Sequence, residues 1–190
     1  MEFVMEIDAF IIPTAAVALA EIGDKTQLLT LVLAARFNAA RSIILGILIA
    51  TLVNHGLSVL LGQWLVDFIP EGWITWIVAG SFLAVGLWLL IPDKDDEESS
   101  RFYAYGPFLA TLVLFFLAEI GDKTQVATVI LAGQYESALL VTLGTTAGMM
   151  LANVPVIYLG RKAMDFVPLA YVRYAACALF LLMAIATAFL

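Results

Sequence analysis

Long apolar runs alternate with short polar breaks along the whole chain. Six segments, 9–35, 40–64, 72–91, 106–132, 138–160 and 170–190, are mostly apolar. About 20 apolar residues in a helix cross a hydrocarbon core of roughly 30 Å. Pro92–Arg101 (PDKDDEESSR) is the only strongly polar stretch, and it divides the six segments three and three. The pattern predicts an all-α polytopic membrane protein with six transmembrane helices. The opening MEFVMEIDAF lacks the basic region of a cleaved signal peptide, so Phe10 onward reads as a retained first span.

Charge interrupts two of these segments at matching places. Leu19–Gln27 reads LAEIGDKTQ, and Leu117–Gln125 reads LAEIGDKTQ again, 98 positions later. Ionisable groups at mid-membrane cost about 2.5–3.5 kcal/mol each on insertion scales and mark ion or substrate pathways. The same offset pairs Phe10 with Phe108, Thr30 with Thr128, Gly46 with Gly144, Gly62 with Gly160, and DFIP at 67–70 with DFVP at 165–168. The chain therefore reads as a duplicated three-helix unit: residues 1–91, an acidic cytoplasmic linker at 92–105, and residues 106–190. An odd number of spans per unit turns the second copy over.

Loop charges favour the same arrangement. Arg36, Arg41, Lys94, Arg101, Arg161, Lys162 and Arg173 all fall in loops on one side, whereas the loops around 67–71 and 134–136 contain no Lys or Arg. By the positive-inside rule the basic side is cytoplasmic, and both termini are on the non-cytoplasmic side. Inverted-topology repeats of this kind build many secondary transporters.

Composition narrows the class. Hydrophobic residues make up 63% of the chain, and mean hydropathy is +1.02, which excludes a soluble domain. A net charge of -7 argues against nucleic-acid binding, which needs basic surface. Cys177 is the single cysteine, so neither an intrachain disulfide nor a thiolate metal cage is available. The partner is the lipid bilayer, and a homo-oligomer remains open.

Read as continuous helices, the motif segments place Glu21 and Asp24 on one face, Glu119 and Asp122 on another, with Gln27 and Gln125 one turn further. Gly23 and Gly121 let a neighbouring helix or an ion approach the backbone. In an inverted repeat the two motifs meet near the pseudo-twofold axis. Four carboxylates and two ammonium groups sum to -2, the charge that one divalent cation neutralises. Without a metal, some of the carboxylates should hold protons, and metal binding then releases them. Carboxylate, amide and hydroxyl oxygens from Thr26, Thr30, Thr124 and Thr128 form a hard donor set suited to Mg, Ca or Mn. Lys25 and Lys123 are expected as counter-ions. The plainer alternative is a buried polar network that only joins two helices, which small residues achieve at lower cost.

With these residues in view, the doubled E-x-G-D-K-T-Q of Glu21–Gln27 and Glu119–Gln125, in a protein of three-plus-three spans, resembles the GDT family of cation/proton exchangers. That family lies in the LysE superfamily and includes bacterial manganese exporters of the MneA type and eukaryotic Golgi calcium/manganese exchangers. The resemblance covers nearly the whole chain. It implies export of Mn2+, with Ca2+ a further candidate, against inward H+, and no bound cofactor. It also implies that Glu21, Asp24, Glu119 and Asp122 act as metal ligands or proton carriers, supported by Lys25, Thr26, Gln27, Lys123, Thr124 and Gln125. The compact length resembles the bacterial form, a multi-pass protein of the cytoplasmic (inner) membrane.

Asn54, His55 and Ser58 in span two, and Asn153 opposite His55 in the repeat, could complete a coordination shell, relay protons or simply join helices. Pro155 is expected to kink span five. The acidic run Asp93–Glu98 reads as a solvated linker. Trp64, Trp73, Trp76 and Trp88 fit an aromatic belt. A divalent-cation channel and a small-solute exporter of the wider superfamily are the competing readings. No nucleophile–base pair or metalloprotease pattern points to an enzyme.

Overall fold

In the computed structural model residues 2–91, 100–160 and 169–189 are described. The described residues are helical throughout, without strands. The elements are α1 (Glu2–Glu21), α2 (Lys25–Phe37), α3 (Ala40–Val66), α4 (Glu71–Trp88), a 3-10 helix (Ser100–Tyr105), α5 (Gly106–Glu119), α6 (Lys123–Gln134), α7 (Ala138–Leu159) and α8 (Leu169–Phe189). Among the described residues, four helical stretches are long and apolar enough to cross a membrane: Ala40–Val66, Arg101–Glu119, Ala138–Leu159 and Ala170–Phe189; Gly72–Trp88 is apolar but shorter.

The first and fourth apolar segments are not continuous helices, contrary to the sequence expectation. Each breaks within the motif, after Glu21 and after Glu119. The break follows from local chemistry. Gly23 (φ 86°) and Gly121 (φ 76°) take left-handed conformations that glycine alone enters without a Cβ penalty. Asp24 and Asp122 then adopt the extended backbone of an N-cap, and new helices start at Lys25 and Lys123.

The halves interlock by exchanging their first helices: α1 lies along α7, and α5 lies along α3. Gly144 backs onto the Phe10 carbonyl, so closely that a Cβ would come within 2.5 Å of that oxygen. Gly46, 98 residues before Gly144, backs onto the Phe108 carbonyl and Thr111, and Phe108 is itself the counterpart of Phe10. Thr14 adds a hydroxyl hydrogen bond to the Gly144 carbonyl at 3.0 Å. Between α4 and α8, Phe82 meets its own counterpart Phe180 edge-on, with centroids 6.1 Å apart.

Among the described residues, two buried apolar clusters fill the interior. One gathers Phe82, Phe180, Leu131 and Val141; the other gathers Leu33, Ile43, Ile47, Phe115 and Met149. Large apolar side chains on the outside are exposed, among them Leu57, Leu60, Leu151 and Leu182, and all four tryptophans lie on that surface. Such an outside suits acyl chains as solvent.

The C-terminal part of the expected linker is ordered into the 3-10 helix. Tyr103 packs there against Phe37 (centroids 6.0 Å), with the Arg36 guanidinium 4.4 Å above its ring. The acidic run at 93–98, Arg161, Lys162 and the DFVP sequence at 165–168 lie outside the described residues.

Candidate cation site

Each motif builds the same small device. Thr26 Oγ1 donates to Glu21 Oε2 at 2.6 Å, and Thr124 Oγ1 donates to Glu119 Oε2 at 3.1 Å. Gln27 Oε1 accepts from the Gly23 N–H at 2.9 Å, and Gln125 Oε1 accepts from the Gly121 N–H at 2.6 Å. The helix breaks at its glycine, the glutamine ties the break together, and the threonine fixes the glutamate. This replaces the expected single helical face: Glu and Asp of one motif sit on either side of a break. D-K-T-Q has the spacing of a capping box, with Asp at the N-cap and Gln at N3. That signal, together with the glycine, was readable in the sequence.

The breaks also change the electrostatics. The C-terminal ends of α1 and α5 and the N-terminal ends of α2 and α6 all terminate in the motifs. Helix C-termini favour cations and N-termini favour carboxylates, as in discontinuous transporter helices.

Glu21 and Glu119 are completely buried, and Asp24 and Asp122 are nearly so. The two halves converge here. Glu21 is within electrostatic reach of Glu119 and Asp122, and Glu119 of Asp122, Asp24 and Lys25. Thr124 also lies in hydrogen-bonding reach of Glu21. Lys25 Nζ lies 3.7 Å from Asp122 Oδ2, an ion pair across the halves, as expected of a counter-ion. Lys123 Nζ donates to the Ile91 carbonyl at 2.6 Å, at the end of the segment that follows α4. Glu21 Oε1 and Glu119 Oε1 are buried and accept no hydrogen bond. In this conformation no three His, Cys, Asp or Glu side chains among the described residues are gathered into a metal cage. The site is thus a pair of adjacent half-sites, each with an open carboxylate oxygen.

Around it, Gln27 Nε2 donates to the Ala152 carbonyl at 2.8 Å. Asn153 Oδ1 accepts from Thr30 Oγ1 at 2.8 Å, tying α2 to α7. Asn54 Nδ2 donates to the Phe116 carbonyl at 3.1 Å and Ser58 Oγ to the Asn54 carbonyl at 2.8 Å. Those two side chains therefore join helices or satisfy backbone. His55 is fully buried, and neither ring nitrogen has a hydrogen-bond partner. Thr51 and Thr146 likewise carry buried, unpartnered hydroxyls. The sequence reading passed over both, although a polar residue one turn before His55 in an apolar segment marks Thr51.

Comparison with known proteins gives a consistent picture. The family described as "Divalent cation/proton antiporter GDT1" matches residues 9–97 and 107–189, once over each half. A Vibrio cholerae protein described as "Putative manganese exporter" is 51% identical over 189 residues, covering 99% of this chain and 93% of its own length. A GDT1-like protein of Synechocystis sp. is 27% identical over 166 residues, covering 76% and 77%. No solved structure matches the chain.

Proposed function

Since the chain belongs to the divalent cation/proton antiporter family GDT1, we propose that it exports Mn2+ from the bacterial cytoplasm, with Ca2+ as a second ion, in exchange for protons. The observation that carries this reading is the convergence of Glu21, Glu119 and Asp122, buried and within reach of one another's charge. Mutual repulsion among them can be relieved by a divalent cation or by protons, and one site that accepts either is what exchange requires. The manganese description of the Vibrio cholerae relative supports the choice of ion.

The same reading assigns residues 1–91 and 106–190 to two inverted repeats, six membrane crossings in all, with both termini outside the cytoplasm. Each broken motif crossing then consists of two helices, α1 with α2 and α5 with α6. The exchanged glycine–phenylalanine contacts support a pseudo-twofold arrangement. The basic loops support the orientation. The bacterial relative and the apolar outer surface support the inner membrane.

Coupling to protons answers an energetic need. Moving a divalent cation outward against 100 mV, inside negative, costs about 4.6 kcal/mol, twice the ~2.3 kcal/mol per charge. Exchange for two protons cancels that electrical term.

The test is Mn2+ uptake into proteoliposomes under an imposed pH gradient, comparing wild type with Glu21→Gln and Asp122→Asn. Accumulation above equilibrium that collapses with a protonophore, and is lost in both variants, is expected. Downhill flux indifferent to the pH gradient would mean a channel and would overturn the exchanger reading.

A further inference from the structure

Both halves make the same glutamate–threonine and glutamine–glycine contacts, but a polar pair beside the motifs is bonded in one half and not in the other. In the first half's surroundings, Thr30 of α2 donates to Asn153 of α7. Their counterparts at the offset of 98 are Thr128 of α6 and His55 of α3. That pair does not bond. Thr128 Oγ1 turns back to the Thr124 carbonyl at 2.8 Å, and His55 is left with both ring nitrogens unpartnered at zero exposure. A neutral imidazole always carries one lone pair and one N–H, and buried polar atoms almost always find partners. An imidazole held this way calls for a guest.

Its depth points to which guest. Asn54, the preceding residue, reaches the Phe116 carbonyl, three residues before Glu119. Gly62 of α3 backs onto Val129 and Ala132 of α6, and Val66 meets Gly133, so the two helices run in the same direction. Seven residues back from Gly62 is His55, and seven back from Val129 is Asp122. The imidazole is therefore level with the second motif. Thr51, with its own unpartnered hydroxyl, lies one turn before His55 on the same face of α3.

Resting on the exchanger reading above, the geometry points to His55 as a nitrogen ligand of the transported cation, supplied from α3 when the ion sits against the second motif. Its lone pair meets the metal, and its N–H remains for an oxygen nearby. Such a ligand sets specificity. Ca2+ takes oxygen ligands, whereas Mn2+, the first ion of the transition series, accepts an imidazole nitrogen beside its oxygens, though less strongly than Fe2+ or Zn2+. An all-oxygen site from the motifs alone has no such bias. His55 thus makes a nearly symmetric site favour Mn2+ over Ca2+.

The chain has a single histidine, which makes the test direct. The full-length protein, purified without a histidine tag, is loaded with Mn2+ and examined by pulsed electron paramagnetic resonance. The expected result is a coupling from a directly bound 14N that changes to the 15N pattern on labelling with [15N]histidine and vanishes in His55→Asn. In parallel, His55→Asn and His55→Gln should weaken apparent Mn2+ affinity by about tenfold or more, in line with losses seen when metal-supporting ligands are removed. Competition by Ca2+ should change little, so the Mn2+/Ca2+ ratio falls. Bound Mn2+ without nitrogen coupling, a wild type without Mn2+ preference, or a ratio unchanged in both variants would each overturn the assignment while leaving the exchanger intact. A wild type that binds no Mn2+ would instead overturn the proposed function itself.

Discussion

Replacing Gly121 by alanine tests whether the second motif really breaks its helix, because the two possibilities predict opposite signs. In the structure Gly121 has φ 76°, and a Cβ built on it meets nothing within 4 Å. The substitution therefore adds no clash, and its effect is purely one of backbone conformation. An L-residue held in the left-handed region costs roughly 1–2 kcal/mol, and asparagine tolerates that region better. If the segment were instead one continuous helix, Gly→Ala would stabilise it by about 0.5–1 kcal/mol. The turn also holds Glu119 and Asp122 relative to one another. A penalty of 1–2 kcal/mol falling on the competent arrangement lowers Mn2+ affinity by a factor of roughly 5–30. The assay is thermal unfolding in detergent together with Mn2+ binding, on wild type, Gly121→Ala and Gly121→Asn. Loss of stability and affinity in the alanine variant, partly recovered by asparagine, is expected. An alanine variant more stable than wild type with unchanged affinity would refute the broken-helix site.

Thr26→Val removes the 2.6 Å bond to Glu21 and should cost about 1.5–3 kcal/mol in stability or Mn2+ binding; Thr124→Val, at 3.1 Å, should cost less, as calorimetric titration can show. Gly144→Ala drives a methyl to 2.5 Å from the Phe10 carbonyl and should destabilise by about 1–3 kcal/mol, whereas Gly56→Ala, with 4.0 Å of clearance, should be neutral or stabilising in the same melting assay. Tyr135, in the turn after α6, has its phenol pushed up to about 12 by burial and by the charge of Asp8. The unfolded chain ionises that phenol near pH 10 while the folded one keeps it neutral, so its contribution is complete below pH 10 and is lost as pH rises towards 12. Tyr135→Phe should flatten the alkaline limb of the stability profile, and an unchanged limb would count against the burial.

Apolar run length located most of the helices, and the offset of 98 located the motif pair, because both are properties of the chain itself. What escaped was local and directional. A helix of apolar residues gives no periodic signal when it stops at mid-segment, so LAEIGDKTQ was absorbed into a continuous span, even though Gly23 and the Asp24–Gln27 spacing carried the break. Asn153 and His55 occupy equivalent positions, yet one is bonded and the other is not. That difference depends on where Thr30 and Thr128 point, which composition does not encode. The bond from Lys123 to the Ile91 carbonyl was not legible either, because it depends on where α4 ends.

The exchange of first helices between the halves also governs how the protein can be made. Residues of α1 leave the ribosome long before α7, against which they finally pack, has been synthesised. At 5–20 residues per second the delay is roughly ten seconds. During that interval Glu21 has its own Thr26 available, but the Gly144 seat for Phe10 does not yet exist. The nascent first half is therefore an unfinished client, exposed to lipid and to membrane proteases until the second half arrives. By the same logic, two separately expressed halves should rescue each other in a cell, and neither should accumulate alone.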